Sequence, residues 1–402
     1  MAWEVKKLGD VCEIVNGGTP DTTVKSYWDG EHLWITPRDM GKLNNLFVDE
    51  TERKITDSGL KNSSAKLLPI NSIILSSRAP IGHLAINKKP MSTNQGCKGI
   101  IPKKTLDFMF LYYFLKSSVD LLNSLGSGTT FKELSGSKLG DVSIPIPPLL
   151  EQKRIVAILD KAFESIAKTK ENSEKNLENA KEIFESYLQS VFENKGEGWE
   201  EKTLMEVSDQ ITDGSHFSPE SSTEDEYPYI TVRDIEEDII NFEKCKFINK
   251  VSYQALLKNG CKPNFGDLLF SKDGTVGKVS LVDFEKDFVV LSSLAIIRPK
   301  RNIIDSYLLK YILKNPQFLK IAVGKKTGAA IRRIILKNLK MIKIVYPKSI
   351  AEQQLIVKKL NKLSHETKQL SSIYEKKLLD LEELKKSILQ KAFKGELTKV
   401  LV

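Results

Sequence analysis

Side chains that can bind an anion are concentrated in two glycine-rich segments of the sequence. They are "LGSGTTFKEL" at residues 125–134 and "VGKKTGAAIRR" at residues 323–333. Such stretches predict loops, in which lysine would mostly hold phosphates while arginine can also bind guanine edges. The resulting candidates for contact with a nucleic acid are Ser127, Thr129, Thr130 and Lys132 in the first segment, and Lys325, Lys326, Thr327, Arg332 and Arg333 in the second.

Four further basic residues follow predicted strands. Arg38 and Arg233 occupy matching places, in "TPRDM" and "TVRDI", and each is followed by an aspartate. A structural arginine–aspartate pair is the alternative for both, and the sequence favours it slightly. Arg78 and Lys272 lie on a turn after a strand, where the alternative is an ordinary surface position. We include all four among the candidate nucleic-acid contacts.

Two motifs suggest enzyme chemistry, but neither is complete. "DGTVGK" (273–278) has two residues between its glycines where a phosphate-binding P-loop has four, and Val279 follows the lysine in place of Ser or Thr. "NPQF" (315–318) lacks the second proline of the Asn-Pro-Pro-aromatic motif of amino-methyltransferases. The four histidines are scattered, and no set of catalytic side chains is complete. We therefore predict that the chain is not an enzyme and has no cofactor.

The composition predicts a soluble, two-domain protein. The chain has 402 residues, of which 41% are hydrophobic and 28% charged. Its four cysteines, at 12, 97, 245 and 261, have the spacing of neither a disulfide framework nor a zinc site. The opening "MAWEVKKLGD" has no apolar run, and "FMFLYYFL" (108–115) is too short to span a membrane. We expect a cytoplasmic, metal-free protein without signal peptide or membrane contact.

The net charge of +9 is distributed in two similar gradients. Residues 1–52 contain 5 Lys/Arg against 10 Asp/Glu, and residues 53–150 contain 13 against 5. The second half repeats this change from acidic to basic. Residues 199–297 contain 10 Lys/Arg against 19 Asp/Glu, and residues 298–348 contain 14 Lys/Arg against 1 Asp/Glu. Concentrated positive charge indicates contact with a polyanion. A solvated basic surface is the alternative, and charge by itself does not separate the two.

The two halves of the sequence are copies of one module. "WEVKKLGDV" at Trp3 matches "WEEKTLMEV" at Trp199, and "IILSSRAPIG" at Ile73 matches "LLFSKDGTVG" at Leu268. Further matches link "DFMFLYYFLK" with "DSYLLKYILK" and "GTTFKEL" with "GAAIRRI". The offset drifts slowly from about 195 to about 200 residues along the chain, as a tandem duplication with small loop insertions would produce.

A long helix is predicted after each globular copy. Residues 151–193 and 352–394 contain no glycine or proline. In the second run the apolar residues recur at alternating steps of four and three, which is the period of a coiled-coil seam. Ser349 and Glu352 fit a capping box, and the first copy has Pro148 where Ser349 stands. We predict that the two helices pair antiparallel within the chain; the alternative is pairing with another chain.

The whole chain resembles the specificity subunit of a Type I restriction–modification enzyme. The resemblance is carried by "IPPLLEQKRIVAIL" (146–159), the "TPRDM" and "TVRDI" segments, "NQGCKGIIP" (94–102) and the ending "LKKSILQKAFKGEL" (384–397). The helix opening and the ending are specific, whereas the globular interiors are not. The second copy has "SSLAIIRP" (292–299) in place of "NQGCKGIIP", so no contact is transferred from Gln95 to that copy.

The resemblance implies a mixed α+β fold with two target recognition domains. The two long helices would form an intramolecular antiparallel coiled coil with pseudo-twofold symmetry. The expected domains are 1–147 and 198–347, each followed by a helical spacer region, 148–197 and 348–402. The implied function is recognition of a split, asymmetric DNA sequence. The implied partners are double-stranded DNA, two adenine-N6 methyltransferase subunits and motor-nuclease subunits.

Two other functions remain open from the sequence. A coiled-coil protein could organise other proteins without binding DNA, in which case its interactions would lack the steep salt dependence of phosphate contacts. An enzyme with an unrecognised site would show turnover as a purified chain. The target bases, the spacer length and the state of the system, restricting or only methylating, are not readable from this sequence.

Overall fold

The chain divides into two units in the computed structural model, which describes residues 3–78, 80–128, 132–222, 226–324 and 333–398. Unit 1 comprises Met1–Glu174 and Lys376–Val402, and unit 2 comprises Lys175–Glu375. Each unit contains one globular part and portions of both long helices. The mixed α+β class predicted from the sequence is confirmed.

The globular part of unit 1 contains a five-stranded and a three-stranded sheet. Its strands are β1 (Glu4–Lys7), β2 (Cys12–Asn16), β3 (Trp28–Ile35), β4 (Phe47–Val48), β5 (Arg53–Ile55), β6 (Ile73–Ser76), β7 (Leu84–Asn87), β8 (Met91–Thr93), β9 (Cys97–Pro102) and β10 (Ser143–Ile146). The larger sheet has the order β2-β9-β6-β7-β4, the smaller one the order β5-β3-β8, and β1 pairs with β10. Strand β6 is fully buried, which explains its continuous apolar sequence.

One apolar helix forms the centre of the core in unit 1. The helices of this part are α1 (Leu8–Val11), α2 (Pro37–Met40), α3 (Asp57–Lys61), α4 (Phe108–Ser117), α5 (Val119–Leu125) and α6 (Gly136–Gly140). Asp107 caps α4 by accepting hydrogen bonds from Met109 N and Phe110 N. Because α4 is covered on most sides, its residues from Phe110 to Leu115 are all buried.

Unit 2 repeats this plan with shorter sheets. Its strands are β11 (Trp199–Thr203), β12 (Ser208–Asp213), β13 (Tyr227–Ile230), β14 (Ile235–Glu236), β15 (Ile239–Ile240), β16 (Lys246–Ile248), β17 (Leu268–Ser271), β18 (Val279–Leu281), β19 (Val289–Val290), β20 (Leu294–Pro299) and β21 (Lys343–Pro347). The sheet orders are β12-β20-β17-β18 and β16-β13-β19, with two-stranded pairs β11-β21 and β14-β15. Asp305 caps the central helix as Asp107 does in unit 1. The helices of this part are α8 (Lys250–Lys258), α9 (Ser306–Lys314), α10 (Pro316–Val323) and α11 (Leu336–Met341), preceded along the chain by α7 (Leu149–Glu193) and followed by α12 (Ile350–Phe393).

The long helices α7 and α12 have 45 and 44 residues and begin close to the predicted positions. Ser349 caps α12, since its hydroxyl accepts a hydrogen bond from Glu352 N at 3.4 Å. The carboxylate of Glu352 accepts a hydrogen bond from Trp199 Nε1 at 3.0 Å, so it serves the start of the second globular part.

The two helices pair with each other, and in each unit they run antiparallel. In unit 1, Lys385 lies over the ring of Phe163, and Lys170 binds Glu382 at 2.9 Å. Residue numbers along α12 therefore decrease as those along α7 increase, which is the arrangement of antiparallel helices. In unit 2, the C-terminal end of α7 and the N-terminal part of α12 share one apolar cluster, which contains Leu188, Phe192, Ile356 and Leu360. The predicted intramolecular antiparallel coiled coil is confirmed.

No helix in the described ranges is long and apolar enough to cross a membrane. Over the same residues, no group of three or more His, Cys, Asp or Glu side chains is arranged to hold a metal ion.

Candidate nucleic-acid interface

In unit 1 the turn after β3 presents Arg38 to solvent. Thr36 precedes α2, and its side chain accepts a hydrogen bond from Asp39 N at 3.3 Å. The Asp39 carboxylate in return accepts hydrogen bonds from Thr36 N at 2.9 Å and from Thr36 Oγ1 at 2.8 Å. This reciprocal capping box fixes the turn, and Arg38 is left exposed on its surface.

The corresponding turn of unit 2 has the same construction. The Asp234 carboxylate accepts hydrogen bonds from Thr231 N at 2.7 Å and from Thr231 Oγ1 at 2.8 Å, and Arg233 is exposed. In both units the aspartate stabilises the turn through a threonine. No ion pair among the described residues joins Arg38 to Asp39 or Arg233 to Asp234, and contact of these arginines with a nucleic acid stays a prediction.

The glycine-rich loop of unit 1 is closed by an ion pair at its base. Arg78 Nε lies 3.1 Å from Glu133 Oε1. The backbones of Ser127 and Glu133 exchange two hydrogen bonds, of 3.0 and 2.9 Å. Ser127 and Lys132 are both exposed. The predicted contacts Thr129 and Thr130 lie outside the described residues.

Unit 2 closes its loop with the same pair of positions but with the charges exchanged. Asp273 aligns with Arg78, Arg333 aligns with Glu133, and Arg333 Nε lies 3.6 Å from Asp273 Oδ2. Arg333 is exposed. The four other candidates of this loop, Lys325, Lys326, Thr327 and Arg332, lie outside the described residues.

Lys272 differs from the other described candidates because its side chain is only 2% exposed. Its ammonium lies 3.4 Å from Asp213 Oδ2, so its charge is already paired within unit 2. Unit 1 also buries a lysine under its loop, but from another strand: Lys98 of β9 lies 3.9 Å from Glu133 Oε1. Burial lowers the pKa of Lys98, which the nearby Glu133 partly opposes. Sequence reasoning did not single out Lys98, although it lies within "NQGCKGIIP".

Backbone hydrogen bonds join these turns at one end of the globular part of unit 1. Ser77 N donates to Gly96 O at 2.7 Å, and Leu134 N donates to Ser77 O at 2.9 Å. Asn94 N donates to Ile35 O at 2.8 Å, next to the turn that carries Arg38. The loop base, the turn after β6 and the turn after β3 therefore form one continuous surface.

The same three bonds recur in unit 2. Lys272 N donates to Ser293 O at 3.0 Å, and Ile334 N donates to Lys272 O at 2.7 Å. Leu291 N donates to Ile230 O at 2.9 Å. Each unit thus brings its described candidates together: Arg38, Arg78, Ser127 and Lys132 in unit 1, and Arg233 and Arg333 in unit 2, with Lys272 beneath them.

The glutamine of the repeated Glu-Gln pair fastens each globular part to the helix that follows it. Gln152 is fully buried, and its Nε2 donates to Thr105 O at 3.0 Å and to Pro147 O at 2.9 Å. Its Oε1 accepts a hydrogen bond from Asp107 N at 2.8 Å, at the start of α4. One side chain therefore links the end of β10, the start of α7 and the central helix.

Gln353 makes the matching contacts in unit 2. It is also fully buried, and it donates to Ile303 O at 2.9 Å and to Pro347 O at 2.7 Å. Its Oε1 accepts from Asp305 N at 2.7 Å. The second appearance of Glu-Gln in the sequence is explained by this link, which fixes the orientation of the interface relative to the helix.

Comparison with known families gives a match over both copies. The sequence model of the family described as "Type I restriction modification DNA specificity domain" matches residues 2–179 and 196–378.

Full-length relatives support this match. The chain is 29% identical to the Type I restriction enzyme MjaIX specificity subunit of Methanocaldococcus jannaschii, over 98% of this chain and 93% of that one. It is 24% identical to the EcoKI specificity subunit of Escherichia coli strain K12, over 98% and 89% of the two chains.

Two solved structures share the fold. One, from work on complex assembly and conformational transition of the type I R–M system, aligns over 98% of both chains with a TM-score of 0.77 and 21% identity. The other is the crystal structure of the HsdS subunit from Thermoanaerobacter tengcongensis, with a TM-score of 0.60 and 20% identity over 98% and 97% of the chains.

Proposed function

Because the chain belongs to the family of Type I restriction–modification specificity subunits, we propose that it recognises a split, asymmetric DNA sequence. Membership confirms the resemblance inferred from the sequence. It makes the chain a non-catalytic subunit with two target recognition domains, in agreement with the prediction that it is not an enzyme. Each domain reads one half-site through the interface described above.

The observation that carries this proposal is that units 1 and 2 share the same framework of hydrogen bonds but present different side chains at the candidate interface. The capping boxes, the backbone bonds of the turns and the buried glutamines are the same in both units. The charged residues at the loop base differ: Arg78 of unit 1 has Asp273 as its counterpart, and Glu133 has Arg333. Because direct readout depends on which donors and acceptors face the base edges, two different surfaces favour two different half-sites.

The proposed domains are residues 1–147 and 198–347, with the helical regions 148–197 and 348–402 as spacers between half-sites. The fully buried Gln152 and Gln353 support this role, since each ties its domain to a helix at three points. A helical spacer fixes the distance between two domains only if each domain is held rigidly on its helix.

Exposed apolar side chains on the long helices support docking of protein partners. Leu150 is 83% exposed, Leu379 is 69% exposed and Ile373 is 60% exposed. A protein partner that covered these side chains would remove their apolar surface from water. We propose that they receive two adenine-N6 methyltransferase subunits, that motor-nuclease subunits join for cleavage, and that the complex works in the cytoplasm on genomic DNA.

Mapping N6-methyladenine across the source genome, with the gene intact and deleted, tests the proposal. We expect a split, asymmetric motif that disappears on deletion, which would also reveal both half-sites and the spacer. An unchanged methylome in cells that express the gene and its methyltransferase would contradict the proposal. A coiled-coil scaffold without DNA binding would then be the reading to test, and it predicts no steep loss of DNA affinity with salt.

A further inference from the structure

A cleft of about 650 Å³ lies in unit 1 between the globular part and the last turns of α12. Its wall includes Met40 and Gly82, which belong to the turns that carry Arg38 and Arg78. The cleft thus continues the candidate interface from the globular part onto the helix. Three lysines line it, and they are Lys116, Lys385 and Lys386.

The positive charges of this cleft are only partly balanced within the protein, since Glu382 is its one acidic lining residue among those that the structure describes. The acidic lining residue, Glu382, is already bound to Lys170 of α7 at 2.9 Å. Lys116 donates a hydrogen bond to the Tyr112 hydroxyl at 3.3 Å. Among the residues that the structure describes, neither Lys116 nor Lys385 forms an ion pair. The folded chain therefore gathers lysines around a cleft that has room for an anion.

The surroundings of these lysines favour a bound anion. Burial lowers the pKa of Lys116, and burial together with the nearby Lys116 lowers that of Lys385. Both lysines are half-buried. An anion between them would favour their charged forms and remove part of the repulsion.

The aligned lysine of unit 2 is paired with a carboxylate. Lys314 aligns with Lys116, and its ammonium is bound to Asp238. Asp238 lies at the tip of the β14–β15 hairpin, where the backbone has positive φ at both turn residues. The helix positions differ as well, because "SYLQSVF" (186–192) aligns with "SILQKAF" (387–393), so that Phe184 and Glu185 match Lys385 and Lys386. The three lysines of the unit 1 cleft are thus not reproduced at the aligned positions of unit 2.

We propose that the cleft of unit 1 binds a phosphate of the DNA backbone, with Lys116, Lys385 and Lys386 as donors. The inference rests on the proposed function. DNA is favoured over a free phosphate because the cleft is continuous with the turns of Arg38 and Arg78, which would face neighbouring phosphates or bases. The helix α12 then contacts DNA in addition to holding the domains apart.

The test is the salt dependence of binding of the full chain to a fluorescein-labelled duplex of random sequence. Lys116→Gln/Lys385→Gln should reduce the slope of log K against log salt by about 0.9, the value for one phosphate contact, and weaken binding by about five- to tenfold. Lys385→Phe/Lys386→Glu introduces the residue types that unit 2 has at these positions, and should reduce the slope at least as much. The matched control Lys314→Gln/Asp238→Asn removes the neutral pair of unit 2 and should leave the slope unchanged.

The outcomes separate this inference from the proposed function. An unchanged slope in both cleft variants, with salt-dependent binding retained, overturns the phosphate site and leaves DNA recognition intact. Absence of salt-dependent binding by the parent chain would overturn both. Loss of methyltransferase assembly without a change in slope would also overturn it, in favour of an acidic protein partner.

A second measurement distinguishes the source of the phosphate. With ¹³C-methylated lysines, the pKa of Lys116, identified by its loss in Lys116→Gln, should rise when the duplex is added. Inorganic phosphate at matched ionic strength should produce a smaller rise. An equal or larger rise with inorganic phosphate would overturn the assignment to the DNA backbone.

Discussion

Unit 1 and unit 2 hold their glycine-rich loops at the same positions with the charges exchanged. In unit 1 the arginine stands on the turn after β6 and the carboxylate at the end of the loop, as Arg78 and Glu133. In unit 2 the carboxylate is Asp273 and the arginine is Arg333. The attraction is the same in either order, so the loop base stays closed while the surface that it presents changes.

The comparison separates residues that build the framework from residues that are free to vary. Side chains that satisfy buried backbone groups are the same in both units, as in Gln152 and Gln353. A buried backbone donor or acceptor without a partner is costly, and this cost restricts replacement. A charged side chain in contact with solvent does not have this desolvation cost, so the sequences of the two copies could diverge at such positions.

Replacing either buried glutamine should have the largest effect on stability. Gln152→Leu and Gln353→Leu each leave one buried and two partly buried backbone groups without this partner, and we expect local losses of about 3 kcal/mol, since a fully buried group costs roughly 1–3 kcal/mol. Hydrogen exchange of α4 and of α9 measures each unit separately. The matched control is Gln354→Leu, because Gln354 is an exposed neighbour on the same helix. Equal protection in the Gln353 and Gln354 variants would contradict the role of the link.

Exchanging the loop ion pair should have the next largest effect, on DNA binding. Arg78→Asp places two carboxylates at the loop base of unit 1, and we expect about tenfold weaker duplex binding, or about 1.4 kcal/mol, from repulsion and the lost contact. Arg78→Asp/Glu133→Arg reproduces the arrangement of unit 2 and should recover most of the affinity. Methylome sequencing of the double variant should show a change in one half-site only. A change in both half-sites would contradict the assignment of one half-site to each unit.

In the two capping turns, replacing the aspartate should reduce stability, whereas replacing the neighbouring exposed arginine should reduce DNA binding. Asp39→Ala and Asp234→Ala should each destabilise their unit by about 1 kcal/mol, as the loss of a cap does. Arg38→Ala and Arg233→Ala should change stability by less than about 0.5 kcal/mol and instead weaken duplex binding. Denaturant unfolding and duplex titration of the four variants check this. Equal destabilisation by the arginine variants would restore the structural interpretation of these arginines.

The smallest effect is expected from the pH dependence of stability. Burial lowers the folded-state pKa of Lys116 and Lys385 below the ordinary 10.5, so the unfolded chain binds more protons between the two values. Stability should therefore rise as pH increases through the lowered pKa values toward 10.5. Lys116→Met/Lys385→Met should lose this part of the rise, and Lys314→Met/Asp238→Asn should keep it. Identical pH profiles for the parent and the cleft variant would contradict the incomplete balance of charge in the cleft.

Much of the architecture could be predicted from patterns that are local or periodic in the sequence. The offsets of about 195 to 200 residues, the uninterrupted helical runs and the 3.5-residue seam predicted two copies and two paired helices. These features are local or periodic, so they can be read without knowing which distant residues meet. The position of Arg38 and Arg233 after a strand was also predicted, because the strand and the turn are encoded within a few residues, whereas the exposure of both arginines was not.

What only the tertiary structure decided is which distant side chains share a site. The sequence placed Lys272 on a turn, but its ammonium is buried against Asp213, and unit 1 supplies a buried lysine from a different strand. The role of Gln152 depends on carbonyls and an amide up to 47 residues away. The lysine cleft joins α4 to α12 across most of the sequence. Periodicity and composition describe neighbours along the chain, whereas desolvation and charge pairing depend on neighbours in space.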